Sequence, residues 1–256
     1  MTIRIAALIP AHLNSVRFPR KVLFPIQGLP MIEHVRRRAA MVDGLSLLAV
    51  ATADREVADT VVSHGGRVIM TSGRHSNGTE CVVEAAHNLD ASHVILIQGD
   101  EPLLFPSQLR TMIDAIKDRP LGPAWNATGR IESQDELDRL SVVKASVGMD
   151  SHIVYCSRRN PSIHDFEQQD YVRKVLGLIA YTREVLMAIP TMPKSIIEEQ
   201  ELIEQMRLIE HGVRIESVAV DENTPSVNEP DDVREVLRQL DESAQQSQLL
   251  QAILNN

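Results

Sequence analysis

The sequence predicts an α/β fold, a doubly wound and mostly parallel sheet, and three observations lead there. Short, nearly continuous apolar runs recur along the first 120 residues, as in strands covered on both faces. Segments with helical apolar spacing lie between them. Turn and cap residues fall at the joints. Alternating strands and helices of this kind close into a sheet with right-handed crossovers.

Taken in order, Ile3 to Ile9 reads as the first strand, and Met31, Ile32, Val35 and Ala39 form the first helical stripe. Leu47 to Ala51 is the next strand. Asp54 is placed to cap the helix carrying Val57, Ala58, Val61 and Val62, and Gly65-Gly66 end it before a strand from Arg67 to Met70. Cys81, Val82, Ala85, Ala86 and Leu89 mark a third helix and Val94 to Ile97 a buried strand. Pro106 opens the helix of Leu109, Met112, Ile113 and Ile116, where its missing N–H costs little. Farther on, Val142 to Val147, Ile153 to Tyr155, Leu176 to Tyr181 and Ile215 to Val220 read as strands, Glu198 to Glu210 and Asp231 to Leu240 as helices. With no repeat and no low-complexity linker, residues 1–240 are expected to form one domain, and 241–256 a polar tail, weakly helical or disordered.

Composition narrows the function. A net charge of −9 argues against a nucleic-acid partner, which needs a basic field, yet leaves room for a nucleotide in a local cationic pocket. No stretch approaches the ~20 apolar residues needed to cross a bilayer, so no membrane partner is expected. The amino terminus lacks the pattern of a secretion signal, and Cys81 and Cys156 show no metal-ligand spacing. Free thiols and a cytoplasmic location are the expectation. Arg36-Arg37-Arg38 reads as the solvated face of a helix.

Three segments carry chemistry. The loop after the first strand holds Ser15, Arg17, Arg20 and Lys21, which can offer cations and backbone N–H groups to a triphosphate; a plain basic surface loop is the alternative. It lacks the glycines of a P-loop. Gln98-Gly-Asp100-Glu-Pro102 ends a buried strand, where a carboxylate suits a divalent metal, although a turn or cap Asp would look the same. The run from Met70 to Glu80 is polar and glycine-bearing and leads into a helix N-terminus, fit for an anion or base edge, or simply a loop capped by Ser76 or Asn77.

In that order, PA-x3-S-x-R-x-P-x-K, MT-x3-H-x-x-GTE and QGDEP resemble the CMP-Kdo synthetase family of sugar-acid cytidylyltransferases, whose sheet is of the nucleotide-diphospho-sugar transferase type. The similarity continues through Val142-Val-Lys144, Tyr155-Cys-Ser-Arg158, Leu176-Gly177, Glu204-Gln-Met-Arg207 and Val227-Asn-Glu-Pro-Asp-Asp-Val233, covering roughly residues 3 to 240. It implies an enzyme that moves CMP from CTP onto an acidic acceptor with Mg²⁺, releasing pyrophosphate. Arg17, Lys21 and Asp100 would be catalytic: the two cations hold the β- and γ-phosphates, and Asp100 carries Mg²⁺. Ala11, His12, Ser15, Arg20, Thr71, His75, Ser76, Gly78, Thr79 and Gln98 would bind the nucleotide, the loop from His75 to Thr79 enclosing the cytosine. Arg158, Arg159, Glu204 and Gln205 would bind the acceptor. A homodimer paired within about residues 140–215 is also implied.

Departures from the family pattern are informative. Arg20 replaces a Gly before the loop Lys, His12 and Cys81 replace arginines, and Val175 replaces a His. In the family's Val-Asp-Thr-Pro-Glu-Asp run the metal-binding Asp becomes Asn228, a neutral and weaker Mg²⁺ ligand, so that either Asp100 carries the metal with substrate groups or nearby Asp231 or Asp232 compensates. The acceptor is expected to be a 3-deoxy sugar acid of the Kdo type, with a phosphonate such as phosphonoformate as the alternative suggested by the Arg158-Arg159 pair. Asn228 and Cys81 also keep open a nucleotide-binding paralogue without turnover.

Overall fold

A computed structural model describes residues 2–159, 171–222 and 224–255. Along the chain, β1 (Ile5–Pro10) leads through the small ribbon β2 (Pro25–Ile26) and β3 (Leu29–Pro30) into α1 (Met31–Ala39). Then come β4 (Leu45–Thr52), α2 (Arg55–Ser63), β5 (Val68–Met70), α3 (Gly78–Ala86), β6 (His93–Ile97) and α4 (Pro106–Asp118). The second half contributes β7 (Ala124–Gly129), α5 (Gln134–Asp138), β8 (Lys144–Val147), β9 (His152–Ser157), β10 (Val172–Thr182) and α6 (Arg183–Ala188). The chain ends with α7 (Ile196–Glu201), α8 (Gln205–Glu210), β11 (Ile215–Ala219), α9 (Asp232–Glu242) and α10 (Ala244–Leu254).

One nine-stranded sheet has the order β5-β4-β1-β6-β10-β7-β11-β9-β8. The β5-β4-β1-β6 half is parallel throughout, as the apolar runs predict. β10 enters antiparallel between β6 and β7, so the two halves are joined by one reversed strand. Alternation along the strands divides the core. Ala7, Ile9, Val50, Ile95 and Ile97 face α1, α2 and α4; Leu8, Ala49, Ala51, Val94 and Leu96 face α3, α6 and α8. Ligands in such a sheet gather beyond the carboxyl ends of the strands.

Several expectations change. The helix expected from Glu198 to Glu210 is two helices, because Leu202 adopts the left-handed conformation at φ 54° and turns the chain between α7 and α8. The buried strand β7 was not foreseen; it carries Trp125, 1% exposed, into the core. The tail is not loose. Helix α10 packs Leu250 and Ile253 against Met31, Leu103 and Val236. The arginine triplet on α1 is not a solvated face either. Arg36 and Arg37 both bond the fully buried Glu33, and Arg37 also reaches the Ile253 carbonyl at 2.6 Å. Arg38 is fully buried, donating to Gln246 Oε1 at 2.7 Å, and burial pulls its pKa down to about 10. Both cysteines are free and buried.

Candidate active site

Three loops leave the carboxyl ends of β1, β5 and β6 and meet at Pro10. A Cβ at Gly99 would lie 3.0 Å from the Pro10 carbonyl oxygen, and one at Gly78 would lie 3.1 Å from Pro10 Cγ. The β1 loop is held by Asp54, whose Oδ2 accepts from the Leu13 amide at 2.8 Å; it does not cap its own helix through the side chain, as the sequence suggested. Before Lys21, Arg20 takes φ 62°, a left-handed conformation that glycine adopts without strain. Its guanidinium pairs with Glu56 at the start of α2.

Lys21 points to Asp100. Its Nζ lies 2.6 Å from Asp100 Oδ2 and 2.9 Å from the Val227 carbonyl, with both side chains largely shielded. The Val227 amide donates to the Asp100 carbonyl at 2.8 Å, which ties the two loops together. Beside them, Arg17 donates to Asn228 Oδ1 at 3.0 Å and approaches Glu229 at 3.7 Å. The structure thus brings together Arg17, Lys21, Asp100 and Asn228, from three segments far apart in sequence. Asp231 and Asp232 lie differently. Asp232 Oδ2 accepts from the amides of Asn228 and Glu229, shaping that turn, and Asp231 is exposed near Arg234.

The other nucleotide-site candidates follow the loops. Ala11 is buried, its amide on the Ala51 carbonyl; His12 is exposed and Ser15 half-buried. Thr71 continues from β5 and bonds back to the Thr52 carbonyl. His75 contacts Glu84 at 2.7 Å, while Ser76 is fixed to Glu80 through amide and hydroxyl. Asn77 caps α3. Thr79 turns inward, 3% exposed, beside Tyr181 and Glu204 in a small internal space. Gln98 stands between Gly78 and Gly177.

A cleft of about 1170 Å³ is lined by Arg17, Gln98 and Asp100 and by Glu204 and Gln205. Gln205 is held by Asn126 at 2.9 Å, and burial raises the pKa of Glu204. Arg158 lines the cleft, but its guanidinium donates to the carbonyls of Glu201, Leu140 and Leu202, bracing α7 against the sheet edge. Arg159 is exposed, and Asn160 to Ser162 of the same segment lie outside the described residues.

Sequence reasoning missed Glu101. It is 6% exposed, and its carboxylate accepts from the Gly177 amide at 2.7 Å where β10 bulges against β7. Burial, and then the neighbouring Asp100, raise its pKa to about 7. Gly177 is required for this approach, since a Cβ there would lie 2.6 Å from Glu101 Oε1. The only available signal was the second acid of the Asp-Glu pair. Lys174, also missed, pairs with Glu136 at 2.7 Å along the cleft.

No group of three or more His, Cys, Asp or Glu side chains arranged for a metal occurs among the described residues. One or two carboxylates suffice for Mg²⁺ when phosphate oxygens complete its shell. Asp100, aimed into the cleft and held by Lys21, fits that requirement. No helix among the described residues is long and apolar enough to cross a membrane.

Comparisons with known proteins identify the family. The profile of the family described as cytidylyltransferase matches residues 6–215. The 8-amino-3,8-dideoxy-manno-octulosonate cytidylyltransferase of Shewanella amazonensis is 36% identical over 90% of this chain and 96% of its own length. The 3-deoxy-manno-octulosonate cytidylyltransferase of Escherichia coli is 36% identical over 87% of this chain and 90% of its own. A solved CMP:2-keto-3-deoxy-manno-octonic acid synthetase complexed with CTP superposes with a TM-score of 0.86 at 35% identity, covering 93% of this chain and 99% of that one. The chain is a nucleotidyltransferase that belongs to the cytidylyltransferase family, among enzymes of the CMP-Kdo synthetase type.

Proposed function

We propose that this enzyme transfers CMP from CTP to a 3-deoxy sugar acid of the Kdo type and releases pyrophosphate. The observation that carries the reading is the Arg17–Lys21–Asp100 cluster, whose Arg17 and Asp100 line a cleft of about 1170 Å³ that also holds Gln98, Glu204 and Gln205. The relatives named for Kdo and 8-amino-Kdo cytidylyl transfer support the acceptor class.

In this reading the acceptor oxygen bonds to the α-phosphorus as the bond to the bridging oxygen breaks. Arg17 and Lys21 are fixed cations for the charge gathering on the departing pyrophosphate. A Mg²⁺ ion held by Asp100 would supply Lewis-acid stabilisation of phosphate oxygens. Lys21 is oriented beforehand by its two oxygens, so little reorganisation accompanies the reaction. Gln98 and the loop from His75 to Thr79 enclose the nucleoside, and Glu204 and Gln205 face the acceptor. Arg158 bracing carbonyls weakens the case for a phosphonate acceptor, because little of its guanidinium remains for an anion. A homodimer through the second half is consistent with exposed Met149, Val154 and Tyr155.

The test is pyrophosphate release from CTP with Kdo, 8-amino-Kdo and phosphonoformate, for the parent and Asp100→Asn. Release with the sugar acids, reduced by about 10²-fold or more in the variant, is expected. Tight CTP binding with no release on any acid would refute the transfer reading, and near-normal Asp100→Asn turnover would remove Asp100 from it.

A further inference from the structure

Asn228 occupies the place where the family pattern has a carboxylate, and the next residue, Glu229, brings one a single position farther along. The loop holding both is tied to Asp100 through the Val227 amide and through Lys21, which spans Asp100 and the Val227 carbonyl. Arg17 gathers Asn228 Oδ1 at 3.0 Å and Glu229 at 3.7 Å on one guanidinium, so the Glu229 carboxylate and the Asn228 amide oxygen share the rim of the cleft that Asp100 enters.

Neighbouring acids do not compete for that role. Asp232 holds the turn by its backbone, and the Asp231 side chain is 85% exposed beside Arg234. Just upstream, Thr224 lines the same cleft, 5% exposed, with its hydroxyl unpartnered among the described residues. A shielded polar group without a partner, on a residue that lines a cleft, is one that a bound ligand or ion can complete.

We propose that Glu229 supplies the second carboxylate of the divalent-cation site, displaced by one residue, with Asp100 as the first and Asn228 Oδ1 as a neutral oxygen. The inference rests on Asp100 being a cation ligand. Mg²⁺-type sites use one or two carboxylates plus substrate oxygens, and this arrangement restores the second. The Arg17–Glu229 contact is long and solvent-exposed, so it yields readily when Arg17 turns to a triphosphate.

The test is Mn²⁺ binding to the full chain without nucleotide, read by the electron paramagnetic resonance signal of free Mn²⁺. Glu229→Gln should weaken binding about tenfold or more, as should Asp100→Asn, and adding Asn228→Asp to Glu229→Gln should recover most of the loss. Glu229→Gln binding within about twofold of the parent, while Asp100→Asn loses the ion, overturns the role of Glu229 alone. Asp100→Asn binding like the parent, or a parent with no Mn²⁺ bound at millimolar concentration, overturns the site itself. Glu229 is well exposed, so its substitution leaves the fold intact.

Discussion

Replacing Glu101 by Gln should make the protein more stable at pH 8 than at pH 5 relative to the parent. The parent carboxyl, 6% exposed, has its pKa raised from 4.5 to about 7 by burial and by Asp100. Below pH 4.5 it is protonated both folded and unfolded and contributes no pH dependence. Between there and pH 7 the unfolded chain loses the proton that the folded chain keeps, so parental stability falls as pH rises. A shift of this size corresponds to about 3 kcal/mol, reached above pH 7. Gln keeps an oxygen for the Gly177 amide at 2.7 Å but cannot ionise. Urea unfolding of both proteins at pH 5, 6, 7 and 8 separates this term from any constant cost of substitution. The difference between them should shift toward the variant by about 2.5 kcal/mol between pH 5 and pH 8. Parallel stability profiles would refute the burial argument.

Two other substitutions follow from the fold. Arg20→Gly exchanges a strained left-handed residue and a solvent-screened pair with Glu56 for a relaxed backbone, and should raise Tm by about 2–3 °C; a lower Tm in a thermal melt contradicts this. Gln246→Leu leaves Arg38 buried without its side-chain acceptor and should cost about 2–3 kcal/mol, with faster proteolysis at α10; unchanged unfolding and cleavage contradict it.

The parallel half of the fold was legible because β1, β6 and the end of β4 from Ala49 onward are buried on both faces and so read as apolar runs. Lys21, Asp100 and Arg17 were legible as chemistry-bearing residues placed where such strands end. β7 was not, since Asn126 and Gly129 interrupt its apolar character and its burial comes from β10 and β11 packing beside it. The break at Leu202 carries no glycine to announce it, and helical spacing runs on through Ile203 and Met206. Polar content hid α10, whose Gln246 is buried because Arg38 needs an acceptor. The bracing role of Arg158 depends on carbonyls at 140, 201 and 202, which no local pattern reveals.

β10 bonds to β6 on one side and to β7 and β8 on the other. A hinge between the two halves would have to shear these ladders, and the bulge between them is pinned by Gln98, Glu101 and Asn126 at Leu176 and Gly177. The sheet beneath the cleft therefore behaves as one rigid plate. Adjustment to substrates of different length falls to the rim, where loops and the short helices α5, α7 and α8 can shift without breaking the strand pairing.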